Sequence, residues 1–244
     1  MSSEATRARR EFGLVAVLGS IALAVLVFLY LASEVGEGET TAFDHWILVG
    51  LRRANDLAQP IGPRWLQYAM LDFTALGGVA VLTLVAVLGM GFLLAKRRWA
   101  RAAFLVAATG GGAILSGVLK ANYQRPRPDF VAHLAAVDTT SFPSGHAMNS
   151  AVVYLTLGVL LARAVPERRV KAYLAGVAVA LTLIVGVSRV YLGVHYPTDV
   201  LGGWTVGAAW AGLCWAAAEW VRRRGERTRL RFKLCRHPRA GGDP

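Results

Sequence analysis

Six stretches of this chain are each long and apolar enough to cross a bilayer, and that pattern limits the fold more than any other feature. A helix needs about 20 mostly apolar residues to cross about 30 Å of hydrocarbon, and in lipid its backbone groups must be satisfied within the segment. The windows run from about Phe12 to Ala32, Leu76 to Ala95, Ala102 to Leu119, Ala147 to Val165, Ala172 to Val187 and Val200 to Val221. Only 17% of the residues are charged, below the roughly 25% of an ordinary soluble domain. Gly110, Gly111, Gly112 and Ser116 make the third window suited to close helix packing inside a bundle.

Between the first two windows, Phe43, Trp46, Ile47, Leu51 and Ala54 recur at helical spacing, with Asp44, His45, Arg52, Arg53 and Asp56 largely on other faces. That pattern predicts an interfacial amphipathic helix, followed by a turn at Pro60, Gly62 and Pro63. The expected fold is all-α: a six-transmembrane-helix bundle with that interfacial helix between the first and second spans. Residues 1–221 read as one transmembrane domain. Residues 222–244 read as a basic, disordered cytoplasmic tail, of which the stretch from about Glu226 to Pro244 frays or lies on the membrane.

Lys and Arg concentrate on the cytoplasmic side of membrane proteins. Arg7, Arg9 and Arg10 precede the first span, Lys96, Arg97, Arg98 and Arg101 follow the second, and Arg163, Arg168, Arg169 and Lys171 join the fourth to the fifth. With six crossings these sets share one side with Arg222, Arg223 and Arg224, which predicts both termini in the cytoplasm. Glu34, Glu37, Glu39 and Asp44 then lie outside. The apolar run of the first window exceeds a typical signal core, which predicts an uncleaved anchor.

The net charge of +12 is mostly juxtamembrane, so it reads as a topology signal with attraction for anionic headgroups, not as a nucleic-acid surface. Cys214 lies in the sixth span and Cys235 in the tail, which implies neither a disulfide nor a thiolate metal site. Trp99 and Trp220 fall at inner boundaries and Trp46 and Trp65 near the outer one, as in an aromatic belt.

Three polar clusters sit at the ends of these spans, and the topology puts all three on the outer face. The first holds Lys120 and Arg125-Pro126-Arg127-Pro128, the second Pro143-Ser144-Gly145-His146, and the third Ser188-Arg189 with His195 and Asp199. Taken singly, each also looks like an ordinary helix end or turn. Together they supply what phosphoryl transfer needs, which is mainly fixed charge around the equatorial oxygens. Lys120 offers an ammonium, and Arg127 and Arg189 offer planar forks. Ser144 offers a hydroxyl, and Gly145 lets a backbone N–H approach closely. Asp199, four residues after His195, can hold one imidazole nitrogen protonated and leave the other as a nucleophile. His146 is then the acid for the leaving alcohol and the base for water. The cycle would pass through a phosphohistidine at His195.

This combination resembles the type 2 phosphatidate phosphatase superfamily, the integral-membrane lipid phosphatases related to vanadium-dependent haloperoxidases. That family's signature is Lys, six residues, Arg-Pro; then Pro-Ser-Gly-His; then Ser-Arg, five residues, His, three residues, Asp. It is met here without departure over about residues 76–221. The resemblance implies that Lys120, Arg127, Ser144, Gly145 and Arg189 bind phosphate, His195 attacks, His146 acts as acid and Asp199 supports His195. It also implies a six-helix membrane fold and hydrolysis with no metal and no cofactor.

The expected protein is a bacterial inner-membrane phosphatase whose partners are the bilayer and a lipid phosphate or pyrophosphate presented at the periplasmic face. Phosphatidate, phosphatidylglycerol phosphate, undecaprenyl pyrophosphate and lipid A phosphate are the candidate substrates. A vanadate-dependent haloperoxidase and a non-enzymatic phospholipid-binding or transport protein are the alternatives. Six apolar spans speak against the first, and the His195–Asp199 spacing against the second.

Overall fold

The structure, a computed structural model, describes residues 3–137 and 139–236. Its elements are α1 (Ser3–Glu37), α2 (Thr41–Gly50), β1 (Arg52–Arg53), β2 (Asp56–Pro60), α3 (Arg64–Ala75), α4 (Val79–Ala95), α5 (Trp99–Asn122), α6 (Gly145–Ala162), α7 (Arg168–Tyr191) and α8 (Pro197–Arg236). Among the described residues, five helices are individually long and apolar enough to cross a membrane, namely α1 from Gly13, α5, α6, α7 and α8 as far as Gly225. The pair α3 and α4, bent by 49° at their junction, passes the same test when taken together and brings the count to six if the pair is one span. The chain is therefore a multi-pass, predominantly helical membrane protein of the expected kind, with almost no sheet.

The second sequence window captures only part of this bent pair. The apolar run from Leu76 to Ala95 covers α4 alone, whereas the polar-looking residues before it form α3. Arg64, Gln67 and Asp72 interrupt the run and hide the helix from a hydropathy reading. Its other face places Leu66, Met70 and Leu71 against Tyr191, Leu192 and Val194. The helix stops in a turn in which Gly77 N–H donates to Thr74 O and Gly78 N–H to Ala75 O, both at 3.0 Å. Gly78 is then the extended residue that precedes α4.

The amphipathic helix exists as α2, but its faces are not those expected. Trp46 is 72% exposed, whereas Asp44 is fully buried beside Leu48. The reason is tertiary: α2 rests on the first turn of α8, and the groups it meets there are polar. Arg52, Arg53 and Asp56 leave the helix and belong to a small antiparallel hairpin, β1 with β2. At the other end of the chain, α8 continues past Val221 as helix to Arg236. Residues 237–244 lie outside the described residues.

The centre of the bundle is α6, which packs on α4, α5, α7 and α8, while α1 packs on α8 and α3 on α7. Over half of the apolar window of α6 is buried, at 56%, against 11% for α1, which sets α6 in the core and α1 at the rim. The backbones of α6 and α8 approach each other closely. A Cβ at Gly203 would fall 2.7 Å from Ser144 O, and one at Gly207 would fall 2.6 Å from Met148 O. Two glycines one turn apart thus let the backbones touch, the small-xxx-small device of membrane helices. On α5, Gly111 and Gly112 instead make room for the side chains of Trp210 and Val152, which is the close packing the third window predicts. Leu23, Val79, Ile114 and Tyr173 face outward, the surface that a bilayer covers.

Candidate active site

The three clusters meet at one end of the bundle, where α5 and α7 finish and α6 and α8 begin. Ser144 is the N-cap of α6, its hydroxyl accepting from Ala147 N–H. Its own N–H donates to Asp199 O at 3.0 Å, which locks the start of α6 to the first turn of α8. The N–H groups that open a helix have no acceptor within it, so Gly145 and His146 present donors and the positive end of the helix dipole to the same space. Gly145 keeps that approach open: a Cβ would lie 3.2 Å from Lys120 Cε, so a larger residue would press on the lysine side chain.

The cations are set around this helix start. Lys120, in the last turn of α5, donates from Nζ to Thr140 O at 2.6 Å and to Thr139 Oγ1 at 3.3 Å. Arg127, on the connection from α5 to α6, donates from Nε to Thr139 O at 2.6 Å and from Nη1 to Val194 O. Arg189, in the last turn of α7, is 3% exposed, and its Nη1 donates to Thr74 Oγ1 at 2.9 Å. Arg189, Lys120, Arg127 and the His195 ring all lie within electrostatic reach of the His146 ring. His146 also packs against Gly77, where a Cβ would come within 3.3 Å of its ring.

His195 lies between α7 and α8 and is 1% exposed. Arg127 Nη1 is 3.2 Å from its Nε2. A guanidinium only donates, so Nε2 accepts and the ring proton resides on Nδ1. That nitrogen faces Asp199 Oδ2 at 3.4 Å. Burial holds the imidazole down at about 4, against the opposing pull of the Asp199 carboxylate; His195 is thus neutral at pH 7, with a lone pair on Nε2. Asp199 Oδ2 also accepts from Tyr196 N–H at 2.8 Å and from the Ser141 hydroxyl.

Every expected site residue is therefore in one place: Lys120, Arg127, Ser144, Gly145, His146, Arg189, His195 and Asp199. The residues that sequence reasoning missed lie just behind them. Arg125 bridges Asp44 and Asp199 at 2.8 Å each, and Thr74 holds Arg189. Only the repeated Arg-Pro of residues 125–128 hinted at Arg125, and nothing in the sequence pointed to Thr74.

An apolar groove of about 420 Å³ runs between α4, α5 and α6, bounded by Leu82, Met90, Leu105 and Val152, with Asn149 toward the site end. Asn149 is one helical turn from Gly145. A larger open depression of about 910 Å³ over α2 is lined by Glu37, Glu39, His45 and Trp46; it contains none of the clustered residues.

Residues 101–223 match the PAP2 superfamily. Phosphatidylglycerophosphatase B of Bacillus subtilis is 36% identical over 187 residues, which is 75% of this chain and 86% of that protein. Decaprenylphosphoryl-5-phosphoribose phosphatase of Mycobacterium tuberculosis is 33% identical over 118 residues, 46% of this chain and 57% of that one. The crystal structure of a transmembrane PAP2-type phosphatidylglycerolphosphate phosphatase from Bacillus subtilis superimposes with a TM-score of 0.72 at 32% identity, covering 83% of this chain and 97% of that one. Aquifex aeolicus LpxE shares the fold at a TM-score of 0.50 and 24% identity, over 65% of this chain and 89% of that one.

These relations define a membrane phosphatase, an enzyme that hydrolyses phosphoesters. The chain belongs to the PAP2 superfamily.

Proposed function

We propose that this enzyme hydrolyses a lipid phosphomonoester at the periplasmic face of a bacterial inner membrane, with phosphatidylglycerol phosphate as the first substrate to test and the pyrophosphate lipids as the second group. The similarity to phosphatidylglycerophosphatase B over 86% of that protein's length supports this choice. The groove between α4, α5 and α6 supports a lipid, because its apolar walls start one turn from the phosphate-facing helix end.

In the proposed reaction Lys120, Arg127, Arg189 and the N–H groups at the start of α6 grip the phosphate oxygens. His195 Nε2 attacks phosphorus while Asp199 holds Nδ1–H. His146 protonates the departing alkoxide, leaving a phosphohistidine, then takes a proton from water as water displaces the imidazole. Three fixed cations supply the charge stabilisation that magnesium gives elsewhere in phosphoryl transfer. Orientation is read from the basic helix ends: Arg97 and Arg98 between α4 and α5 with Arg101 in the first turn of α5, and Arg168, Arg169 and Lys171 in the first turn of α7, are at the end of the bundle opposite the site.

The observation that carries the reading is the neutral, buried His195 facing Asp199 on one side and Arg127 on the other. Purified enzyme in detergent with EDTA, given a panel of phosphorylated lipids, should release phosphate, and His195→Ala should release none. Unchanged turnover in that variant refutes the nucleophile. Loss of turnover in EDTA that returns with added metal refutes the cation-only cradle.

A further inference from the structure

Asp199 cannot be understood through His195 alone, because most of its hydrogen bonds go elsewhere. Its Oδ1 accepts from Arg125 Nη1 at 2.8 Å. The same guanidinium donates from Nη2 to Asp44 Oδ2 at 2.8 Å and to Thr40 Oγ1 at 3.2 Å, and from Nη1 to Thr198 Oγ1 at 2.8 Å. Its flat face lies 4.0 Å from the centre of the Tyr196 ring. Asp44, from α2, in turn accepts Thr198 N–H at 3.0 Å and Thr198 Oγ1–H at 2.7 Å, so it caps the first turn of α8 from outside that helix. Both carboxylates are fully buried, and the arginine side chain is 13% exposed.

We infer that Arg125 and Asp44 are positioning residues for the reaction: one guanidinium divided between two buried carboxylates keeps Asp199 in place while leaving it negative enough to hold His195. The geometry shows how. A guanidinium fork offers two parallel N–H groups, and an unopposed carboxylate takes both. Here Asp44 takes one arm. Asp199 is left with a single arm on Oδ1, which prevents it from rotating, and its Oδ2 is turned to His195 Nδ1. Remove Asp44 and the fork closes on Asp199, weakening its field at the histidine. Remove Arg125 and two buried carboxylates lose their shared cation.

The two substitutions act on His195 in opposite directions. The groups facing that ring are Asp199 on α8, Arg127 and Ser141 on the connection from α5 to α6, Arg189 on α7 and His146 on α6. Arg125→Met strips positive charge from the back of Asp199 and so favours the protonated imidazole. Asp44→Asn strips negative charge and favours the neutral one. The device also ties α2, whose Phe43 and Trp46 are exposed beside the buried Asp44, to the chemistry beneath it.

This inference rests on His195 as the nucleophile, and the test separates the two. Phosphate release from phosphatidylglycerol phosphate is measured against pH for the natural enzyme, Asp44→Asn, Arg125→Met, Arg125→Lys and His195→Ala. The acidic limb of kcat/KM should move up by about one pH unit in Arg125→Met and down by about as much in Asp44→Asn, staying near its original place in Arg125→Lys. In Arg125→Met, kcat should fall roughly tenfold while KM stays within about threefold, since the phosphate donors are untouched. Residues that merely brace the fold would lower stability without moving the limb in opposite senses. Limbs that move together, or not at all, overturn the inference while His195→Ala remains dead; an active His195→Ala overturns the nucleophile itself. If Arg125→Met does not fold, the Asp44→Asn limb decides alone: a downward move supports the inference and any other result overturns it.

Discussion

Arg189 Nη1 donates to Thr74 Oγ1 at 2.9 Å, and this bond joins the last turn of α7 to the last turn of α3. Arg189 Nε is buried without a hydrogen-bond partner among the described residues. A buried guanidinium with no carboxylate beside it is costly, and it is a cost consistent with a group set to receive an anion. Thr74 keeps the fork from turning away. The break between α3 and α4 is thus part of the site, since it puts Thr74 under Arg189 and Gly77 against His146.

Thr74→Val keeps the shape of the side chain but removes the acceptor. A hydrogen bond to a charged group contributes about 1.5–3 kcal/mol, so kcat/KM for phosphate release should fall about tenfold or more, mostly through KM. Thr74→Ser should restore most of it. Steady-state kinetics in detergent measure both, and an unaffected KM in the valine variant would remove Thr74 from the site.

Arg127→Lys keeps the charge and loses the planar fork that spans Thr139 O and His195 Nε2. Lysine is a point charge that cannot make both contacts. The expected drop in kcat/KM is on the order of 10- to 100-fold, about 1.4–2.7 kcal/mol of transition-state stabilisation. Equal activity of the lysine variant would show that only net charge matters at this position.

At Gly207 a Cβ would lie 2.6 Å from the backbone oxygen of Met148, which cannot be relieved by a side-chain rotation. Gly207→Leu should therefore push α8 off α6 and destabilise the bundle by about 1–3 kcal/mol or more, read as a lower melting temperature in detergent. Gly225→Ala, with nothing within 4 Å, is the control and should not lower it.

His195 has a pKa of about 4 in the folded protein against an ordinary 6.5. Between those values the unfolded chain binds more protons at this residue than the native one, so stability rises with pH across the window. Acidification from about pH 6.5 to about pH 4 should progressively lower the melting temperature, with no further contribution from His195 below that. His195→Gln should flatten the part of the curve that belongs to it. A pH-independent difference between the two proteins would show that the imidazole is not desolvated.

The spans were legible because each is a continuous apolar run, and the signature residues were legible because their chemistry recurs at short spacing on single helix ends. His195 and Asp199 are one helical turn apart, and Ser144, Gly145 and His146 are consecutive. Residues that act across the fold left no such trace. Asp44 and Arg125 are separated by 81 positions, and Thr74 and Arg189 by 115. The faces of α2 misled for the same reason: an aspartate on an amphipathic helix reads as solvated until the partner that pairs with it in the interior is seen.

Hydropathy and motif spacing alone determined the class of this protein, because a bilayer demands long apolar helices and phosphate demands fixed cations, and both demands are local in the chain. Only the tertiary structure decided how the site is held. A buried charge acquires its partner from whichever element the bundle brings alongside, and that choice is made by helix packing over distances the chain's local pattern does not record.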